Sequence, residues 1–232
     1  MLDDLKKELR KASDKKQAEL LQRFFKTGKG QYGEGDIFLG IKVPVQRAIA
    51  KKYDLNLGDI QELLNSGVHE YRLIALFILI SKYIKSPEED KEKIYRFYLK
   101  NSKRINNWDL VDLSASNIVG NFLLNKDREI LYKIAKSKNL WEKRISILSC
   151  FAFIRNNEFS DALKIAEVLL GDKHDLIHKA VGWMLREIGK RNQEVEENFL
   201  KKHYKTMPRT MLRYAIEKFP EEERKEWLKK PN

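Results

Sequence analysis

The 232-residue sequence contains a single cysteine, Cys150. One thiol cannot form an intramolecular disulfide, and it cannot build a cysteine-based zinc or iron–sulfur site. Cys150 lies within the apolar run 145–153, which predicts a buried and unreactive thiol.

Long apolar runs are also missing. Residues 1–13 are charged throughout and lack the apolar core of a secretion signal. The longest apolar stretch, residues 73–81, is far too short to span a bilayer. We therefore expect a cytoplasmic protein without membrane association.

Glycine and proline are scarce, at 11 and 5 residues, which argues against long linkers, collagen-like tracts and a many-turned β-sandwich. No segment alternates in polarity over six residues as a half-buried strand does. Apolar residues recur three and four positions apart in the segments 18–26, 59–66, 70–84, 92–102, 109–124, 127–137, 142–154, 161–171, 176–190 and 209–219. The sequence predicts an all-α fold of about a dozen helices in one domain, residues 1–232.

Acidic residues are outnumbered by basic ones. Lys and Arg total 46 against 34 Asp and Glu, a formal net charge of +12. Such an excess favours a polyanionic partner, of which nucleic acid is the first candidate. The alternative is a Lys-rich solvated surface without a nucleic-acid partner.

A weak internal period accompanies the helical pattern. Basic residues stand in similar helical settings at Arg72, Arg144, Lys179 and Arg213, as though a unit of about 35 residues recurred with one member skipped. Paired helices at this spacing suggest a HEAT-type solenoid, in which one helix of each pair lines a concave face. If the basic residues point into that face, it is positively charged. The alternative is that they are unrelated positions in an ordinary helical bundle.

The segment 106–120 carries the most informative spacing. Trp108 and Asp112 are four residues apart and therefore share one helix face, which continues through Ala115 and Val119. A tryptophan beside a carboxylate, with small residues beyond, resembles the wall of a site. The structural alternative is that Trp108 packs in the core while Asp109 favours the first turn of the helix.

A second constellation lies in residues 179–190. Lys179, Trp183, Arg186 and Lys190 are spaced by 4, 3 and 4, which places three cations around one indole. This pattern suits a nucleic-acid backbone, although Lys and Arg stems covering a surface tryptophan explain it equally well. Trp141 and Arg144 share a helix face in residues 140–146, where an arginine could grip a phosphate.

Motifs for metal and phosphate chemistry are lacking. His69-Glu70 begins like a zinc-protease helix, but Leu73 stands where the second histidine is needed. His174 and His178 have no evident third ligand, so neither a metal site nor a cofactor is expected. The glycine-rich segment 27–36 is not a phosphate-binding P-loop. Its Tyr32 could touch a ligand backbone, or the segment could be a plain surface connection.

Four segments together resemble the AlkD-like family of DNA alkylation repair proteins, and the similarity covers most of the chain. They are FLGIKVP (38–44), WDLVD (108–112), LWEKR (140–144) and KAVGWMLRE (179–187). The resemblance implies a HEAT-like solenoid whose concave face wraps duplex DNA. It also implies a glycosylase that releases cationic bases such as 7-methylguanine and 3-methyladenine.

By motif match, the family's catalytic aspartate falls on Asp112. Its two site tryptophans fall on Trp108 and Trp183, and its phosphate-contacting arginine on Arg144. Tyr32 is a candidate for the family's N-terminal site tyrosine, although the segment 27–36 is longer and richer in glycine than the family pattern.

The departure at residues 27–36 leaves a second hypothesis open, a non-catalytic protein on the same scaffold that binds duplex or branched DNA. A third is a HEAT-type adaptor between proteins. Under the first hypothesis the partner is double-stranded DNA with alkylated bases, and the protein is expected to act as a monomer.

Overall fold

A computed structural model describes residues 1–229 of the chain. In this part the chain forms fifteen α-helices: α1 (Leu2–Lys11), α2 (Lys15–Phe24), α3 (Val43–Ala50), α4 (Leu57–Leu64), α5 (His69–Lys85), α6 (Glu88–Lys100), α7 (Trp108–Ala115), α8 (Glu129–Ala135), α9 (Leu140–Ser149), α10 (Phe151–Arg155), α11 (Ser160–Leu169), α12 (Asp175–Gly189), α13 (Gln193–His203), α14 (Arg209–Ala215) and α15 (Glu221–Leu228). Strands are absent from residues 1–229, where an isolated parallel bridge joins Ile37 to Val68. The all-α prediction is confirmed, with a few more helices than the dozen expected.

Four helices lie outside the segments that the apolar period marked, namely α1, α3, α13 and α15. Each presents little apolar surface to the core. Helix α1 buries only Leu5 and Leu9, and α15 buries no residue. In α1 the leucines at positions 2, 5 and 9 do recur at helical spacing, so this helix was readable from the sequence, whereas α15 has few apolar residues to form a period.

Two segments predicted as continuous helices are interrupted. The segment 109–124 is α-helical only to Ala115, and a π-helical turn follows over Ser116–Gly120. The segment 142–154 divides at Cys150, between α9 and α10. Gly120 approaches α9 so closely that an added Cβ would lie 2.8 Å from the Cβ of Ala152 and would overlap the carbonyl oxygen of Ser149. The π-helical turn thus ends at Gly120, where the backbone packs directly against Ser149 and Ala152.

Backbone contacts divide the chain into two compact units, Met1–Ser114 and the residues from Ala115 onward. The single domain 1–232 stays a prediction, and its residues 230–232 lie outside the described part. In the first unit α5 packs against α3, α4 and α6. Most of α5 is buried, including the polar side chains of His69, Glu70 and Arg72. Buried polar groups need hydrogen-bond partners, and the partners of these three side chains lie around the candidate site.

In the second unit α12 packs against α9, α11, α13 and α14. Gly182 lies in the middle of α12, where an added Cβ would be 2.5 Å from the Cβ of Tyr214 and would overlap the carbonyl oxygen of Met211. Because Gly182 has no side chain, α14 can pack closely against α12 at the position before Trp183. Among residues 1–229, no helix has both the length and the apolar character that crossing a bilayer requires.

Candidate active site

In the first unit, α7 begins at Trp108 and includes Asp112 one turn later. Asn107 orients the start of this helix, because its side-chain oxygen accepts a hydrogen bond from the backbone N–H of Trp108 at 2.8 Å. Trp108 and Asp112 are both partly exposed. The structure therefore keeps the two residues of the predicted pair on one helix and accessible to solvent.

The indole of Trp108 rests on an aromatic platform. Its ring stacks on Phe25 at 5.2 Å with an interplanar angle of 11°, and Phe24 meets it edge-on at 6.0 Å. Phe24 is 63% exposed although it is a large apolar residue. The sequence predictions did not include Phe24. A pair of phenylalanines at the end of a periodic helix gives no signal that one of them remains in solvent.

Tyr32 contacts the backbone of a platform residue: its hydroxyl donates a hydrogen bond to the carbonyl oxygen of Phe24 at 3.5 Å. The residue is partly exposed. Its assignment to DNA contact stays a prediction.

Beneath Trp108 lies a buried network of ionisable groups. His69 donates from Nε2 to Asp109 at 2.8 Å and from Nδ1 to Asp36 at 3.3 Å. Asp36 also pairs with Arg72 at 2.6 Å. Arg72 is 3% exposed and His69 is 2% exposed. The expectation that the recurrent basic residues line an open positive face is therefore wrong for Arg72, whose charge is neutralised inside the unit.

The pKa values in this network follow from its pairing. Burial alone lowers the pKa of His69, but the charge of Asp109 and hydrogen bonds to Asp109 and Asp36 raise it to about 9. Burial raises the pKa of Asp36, but the hydrogen bond from His69 and the charge of Arg72 leave it below its ordinary value. At neutral pH the network thus holds a protonated imidazole between two carboxylates.

Glu70 explains the early segment FLGIKVP. Its carboxylate accepts hydrogen bonds from the backbone N–H groups of Leu39, Gly40 and Ile41 at 2.9, 2.8 and 3.2 Å. Gly40 has a φ of 84° and lies so close to the carbonyl oxygen of Asp14 that no Cβ fits. Within this chain, the segment therefore anchors backbone at residues 39–41, while its first residue, Phe38, stacks on the ring of His69 at 4.5 Å.

In the second unit, Trp183 on α12 is partly exposed and donates from Nε1 to Glu187 at 3.1 Å. Glu187 is 7% exposed and also accepts from Lys190 at 2.6 Å. Phe151 lies 6.0 Å from the Trp183 ring, with the guanidinium of Arg155 4.8 Å above the Phe151 ring. A buried carboxylate thus fixes this indole, a contact that the sequence predictions did not include.

The three cations predicted to surround Trp183 each have an acidic partner within the unit. Lys179 pairs with Asp175 at 2.7 Å, Arg186 with Glu217, and Lys190 with Glu187. The stripe is consequently less positive than the sequence suggested. The assignment of these cations to DNA binding stays a prediction.

Arg144 and Trp141 lie on α9 and are 4% and 7% exposed. Arg144 donates from Nη1 to the carbonyl oxygen of Leu176. The guanidinium is therefore held against the start of α12 rather than displayed on an open surface, and its role in phosphate contact also stays a prediction.

The two histidines weighed as metal ligands make other contacts. His174 Nδ1 accepts from the backbone N–H of Leu176 at 3.1 Å, and His178 Nε2 donates to the carbonyl oxygen of Asp172 at 2.6 Å. Across residues 1–229, His, Cys, Asp and Glu nowhere gather in a group of three suited to a metal ion.

Comparison with known proteins identifies the relatives of the chain. A family model described as DNA alkylation repair enzyme matches residues 5–219. A solved structure titled a predicted DNA alkylation repair enzyme from Enterococcus faecalis is 16% identical, with a TM-score of 0.71, and the match covers 90% of this chain and 97% of that one. The AlkD2 structure from Streptococcus mutans is 18% identical with a TM-score of 0.56, covering 89% and 99%. The smu.31 structure from the same organism is 20% identical with a TM-score of 0.54, covering 76% and 92%. No curated protein matches the chain significantly. These structural likenesses confirm the predicted helical-repeat fold class.

Proposed function

Because the chain belongs to the DNA alkylation repair enzyme family, we propose that it is a DNA glycosylase that hydrolyses the N-glycosidic bond of cationic alkylated purines in duplex DNA. The substrates are nucleotides such as 7-methylguanine and 3-methyladenine, and the enzyme needs no cofactor. Action as a monomer in the cytoplasm belongs to the same proposal.

One observation supports this proposal above the others. Asp112 follows Trp108 by one helical turn, the indole of Trp108 stacks on Phe25, and Trp108 and Asp112 are both partly exposed. In a chain of net charge +12, a partly exposed aspartate one helical turn from an aromatic ring suits the stabilisation of positive charge on a bound nucleotide.

The chemistry follows from the charge of the lesion. Alkylation at N7 or N3 makes the purine cationic, so the base leaves as a neutral molecule with the electron pair of the broken C1′–N9 bond. No general acid is required for that departure. The deoxyribose gains oxocarbenium character, which a nearby carboxylate stabilises. Water then adds its oxygen to C1′ and releases a proton.

Asp112 is assigned to stabilise the sugar cation and to orient the water. Trp108 and Trp183 are assigned to the sugar–phosphate edge, where their π faces favour a cationic centre. Arg144 and Lys179 are assigned to phosphates, with Arg186, Lys190 and Tyr32 as further DNA contacts. For the paired cations, this role requires DNA phosphates to replace the acidic partners seen in the chain.

The test is release of free base from methylated duplex DNA. We expect the wild-type protein to release 7-methylguanine, and Asp112→Asn to bind the duplex with unchanged affinity while releasing base several orders of magnitude more slowly. Asp54→Asn, which changes an exposed aspartate elsewhere in the first unit, provides the comparison and should release base at the wild-type rate. Equal release by Asp112→Asn removes this residue from the mechanism. DNA binding without base release by the wild type selects the alternative of a non-catalytic DNA-binding protein.

A further inference from the structure

The two residues next to Trp108 in the sequence are held by hydrogen bonds, Asn107 by Asp36 and Asp109 by His69. Asn107 donates from Nδ2 to Asp36 Oδ2 at 3.3 Å, the same oxygen that His69 Nδ1 and Arg72 Nη2 approach. Asp109 accepts from His69 Nε2 at 2.8 Å. The end of the glycine-rich loop, the start of α5 and the start of α7 are thus joined through one imidazole and one carboxylate.

The same imidazole lies within the aromatic platform. Its ring stacks on Phe38 at 4.5 Å and contacts Phe25 at 5.0 Å, and Phe25 stacks on Trp108 at 5.2 Å. His69 is therefore connected to Trp108 in two ways. It binds the side chain of Asp109, the next residue on α7, and it contacts the ring of Phe25, on which the indole stacks.

The charged groups that face His69 are Asp36 from the loop, Asp109 from α7 and Arg72 from its own helix. Two carboxylates accept from the two ring nitrogens, while the arginine is turned to Asp36. The pKa of about 9 keeps both nitrogens protonated at neutral pH, so both hydrogen bonds are charge-assisted.

We infer that His69 is a positioning residue of this site, which holds the start of α7 and the indole of Trp108 in place by bridging Asp36 and Asp109. The inference rests on the proposed glycosylase function only for its effect on turnover. His69 does not touch the substrate. It acts through Trp108, and supporting groups of this kind set how well a site is preorganised.

The position of Trp108 can be followed without any assay of activity. Protein labelled with 5-fluorotryptophan gives one ¹⁹F resonance for each of its four tryptophans, and Trp108→Phe assigns the relevant one. We expect His69→Ala to shift or broaden the Trp108 resonance and to leave the other three unchanged. His69→Gln keeps one N–H donor near the position of Nε2 and should restore most of the wild-type signal. The partly buried His203 of the second unit, which also pairs with a carboxylate, Glu167, provides the control His203→Gln, and this change should leave the Trp108 resonance unaltered.

The wild-type protein supplies a second measurement that does not depend on variant folding. Deprotonation of His69 removes one of its two N–H donors and the charge that strengthens the other hydrogen bond, so the Trp108 resonance should titrate with a midpoint near pH 9. The titration should vanish in His69→Gln. A Trp108 resonance that stays constant from pH 7 to 10, or that is unaffected in folded His69→Ala, overturns the inference.

Turnover separates this inference from the proposed function. If the wild type releases base, His69→Ala should lower kcat about 10-fold with little change in KM, as expected for a group that organises the site without binding substrate. If the wild type releases no base, the glycosylase proposal fails, while the ¹⁹F measurements still decide whether His69 positions Trp108.

Discussion

Glu196 on α13 packs its carboxyl group against Gly189 on α12, so closely that a Cβ at position 189 would force the Glu196 side chain to move. Glu196 is 1% exposed. Burial raises its pKa from an ordinary value of 4.5 to about 8, against the opposing charge of Arg186. A neutral carboxylic acid is therefore packed beneath the helix that carries Trp183.

This raised pKa predicts a stability that declines with pH. Above pH 4.5 the unfolded chain releases the Glu196 proton while the folded chain retains it, so the free energy of unfolding falls between pH 4.5 and about pH 8. Glu196→Gln removes this loss. We expect it to raise the free energy of unfolding by about 1–3 kcal/mol at pH 8.5 and by much less at pH 5. Urea titrations at both pH values measure the difference, with exposed Glu194→Gln as the control. An equal effect at the two pH values contradicts the prediction.

The close approach of α14 to α12 predicts a large effect at Gly182. An alanine there meets the carbonyl oxygen of Met211 and the Cβ of Tyr214. We expect Gly182→Ala to destabilise the protein by about 2 kcal/mol or more, despite the better helix propensity of alanine. Gly171→Ala is the matched control, because no atom lies within 4 Å of its added Cβ. Thermal unfolding of both variants is the measurement, and equal midpoints would show that the helices separate freely.

The pairing of Glu187 with Lys190 predicts that an acidic residue restrains DNA binding. Glu187→Gln keeps an oxygen acceptor for the Trp183 indole but removes the negative charge. We expect tighter binding to duplex DNA at low salt and a steeper dependence on salt concentration. Fluorescence anisotropy with an unmodified duplex at several salt concentrations measures both quantities. Exposed Glu194→Gln again serves as the comparison, and an identical gain in that variant would assign the effect to net charge alone.

Lys179 is predicted to contact phosphate, and its removal should weaken binding equally for all DNA sequences. We expect Lys179→Ala to reduce the salt slope by about one, the value for one lost phosphate contact. The same anisotropy titrations, made with two unrelated duplexes, test this. A change confined to one duplex would indicate base contact, and an unaltered slope would remove Lys179 from the interface.

Cys150 is fully buried, and burial raises the pKa of its thiol well above the ordinary range. A thiol kept protonated and covered reacts slowly with disulfide reagents. We expect no reaction with DTNB in the native protein at pH 8 and one equivalent of thiol in guanidinium chloride. Rapid reaction of the native protein would show that α9 and α10 open locally around Cys150.

The local sequence pattern was sufficient to predict part of the fold. The apolar period found ten helical segments, and the run around Cys150 correctly indicated a buried thiol. The spacing of Trp108 and Asp112 on one helix also followed from sequence, because it depends only on the helical repeat.

The partners of His69 could not be found in this way. Asp36 and Asp109 lie 33 and 40 positions away along the chain, and only tertiary packing brings them to the same imidazole. The pairing of Lys190 with Glu187 is different, since these residues are three apart at the C-terminal end of α12 and their contact was readable from the sequence.

The grip of Glu70 on three successive backbone amides has a consequence for the glycine-rich segment that precedes them. The chain is fastened at Leu39–Ile41, and Asp36 before them is held by Arg72 and His69. Gly33 lies against the backbone of Phe25, whereas no atom lies within 4 Å of an added Cβ at Gly30. Residues can therefore be gained or lost around Gly30, ahead of these fixed points, without displacing Phe38 or the ring of His69 that stacks on it.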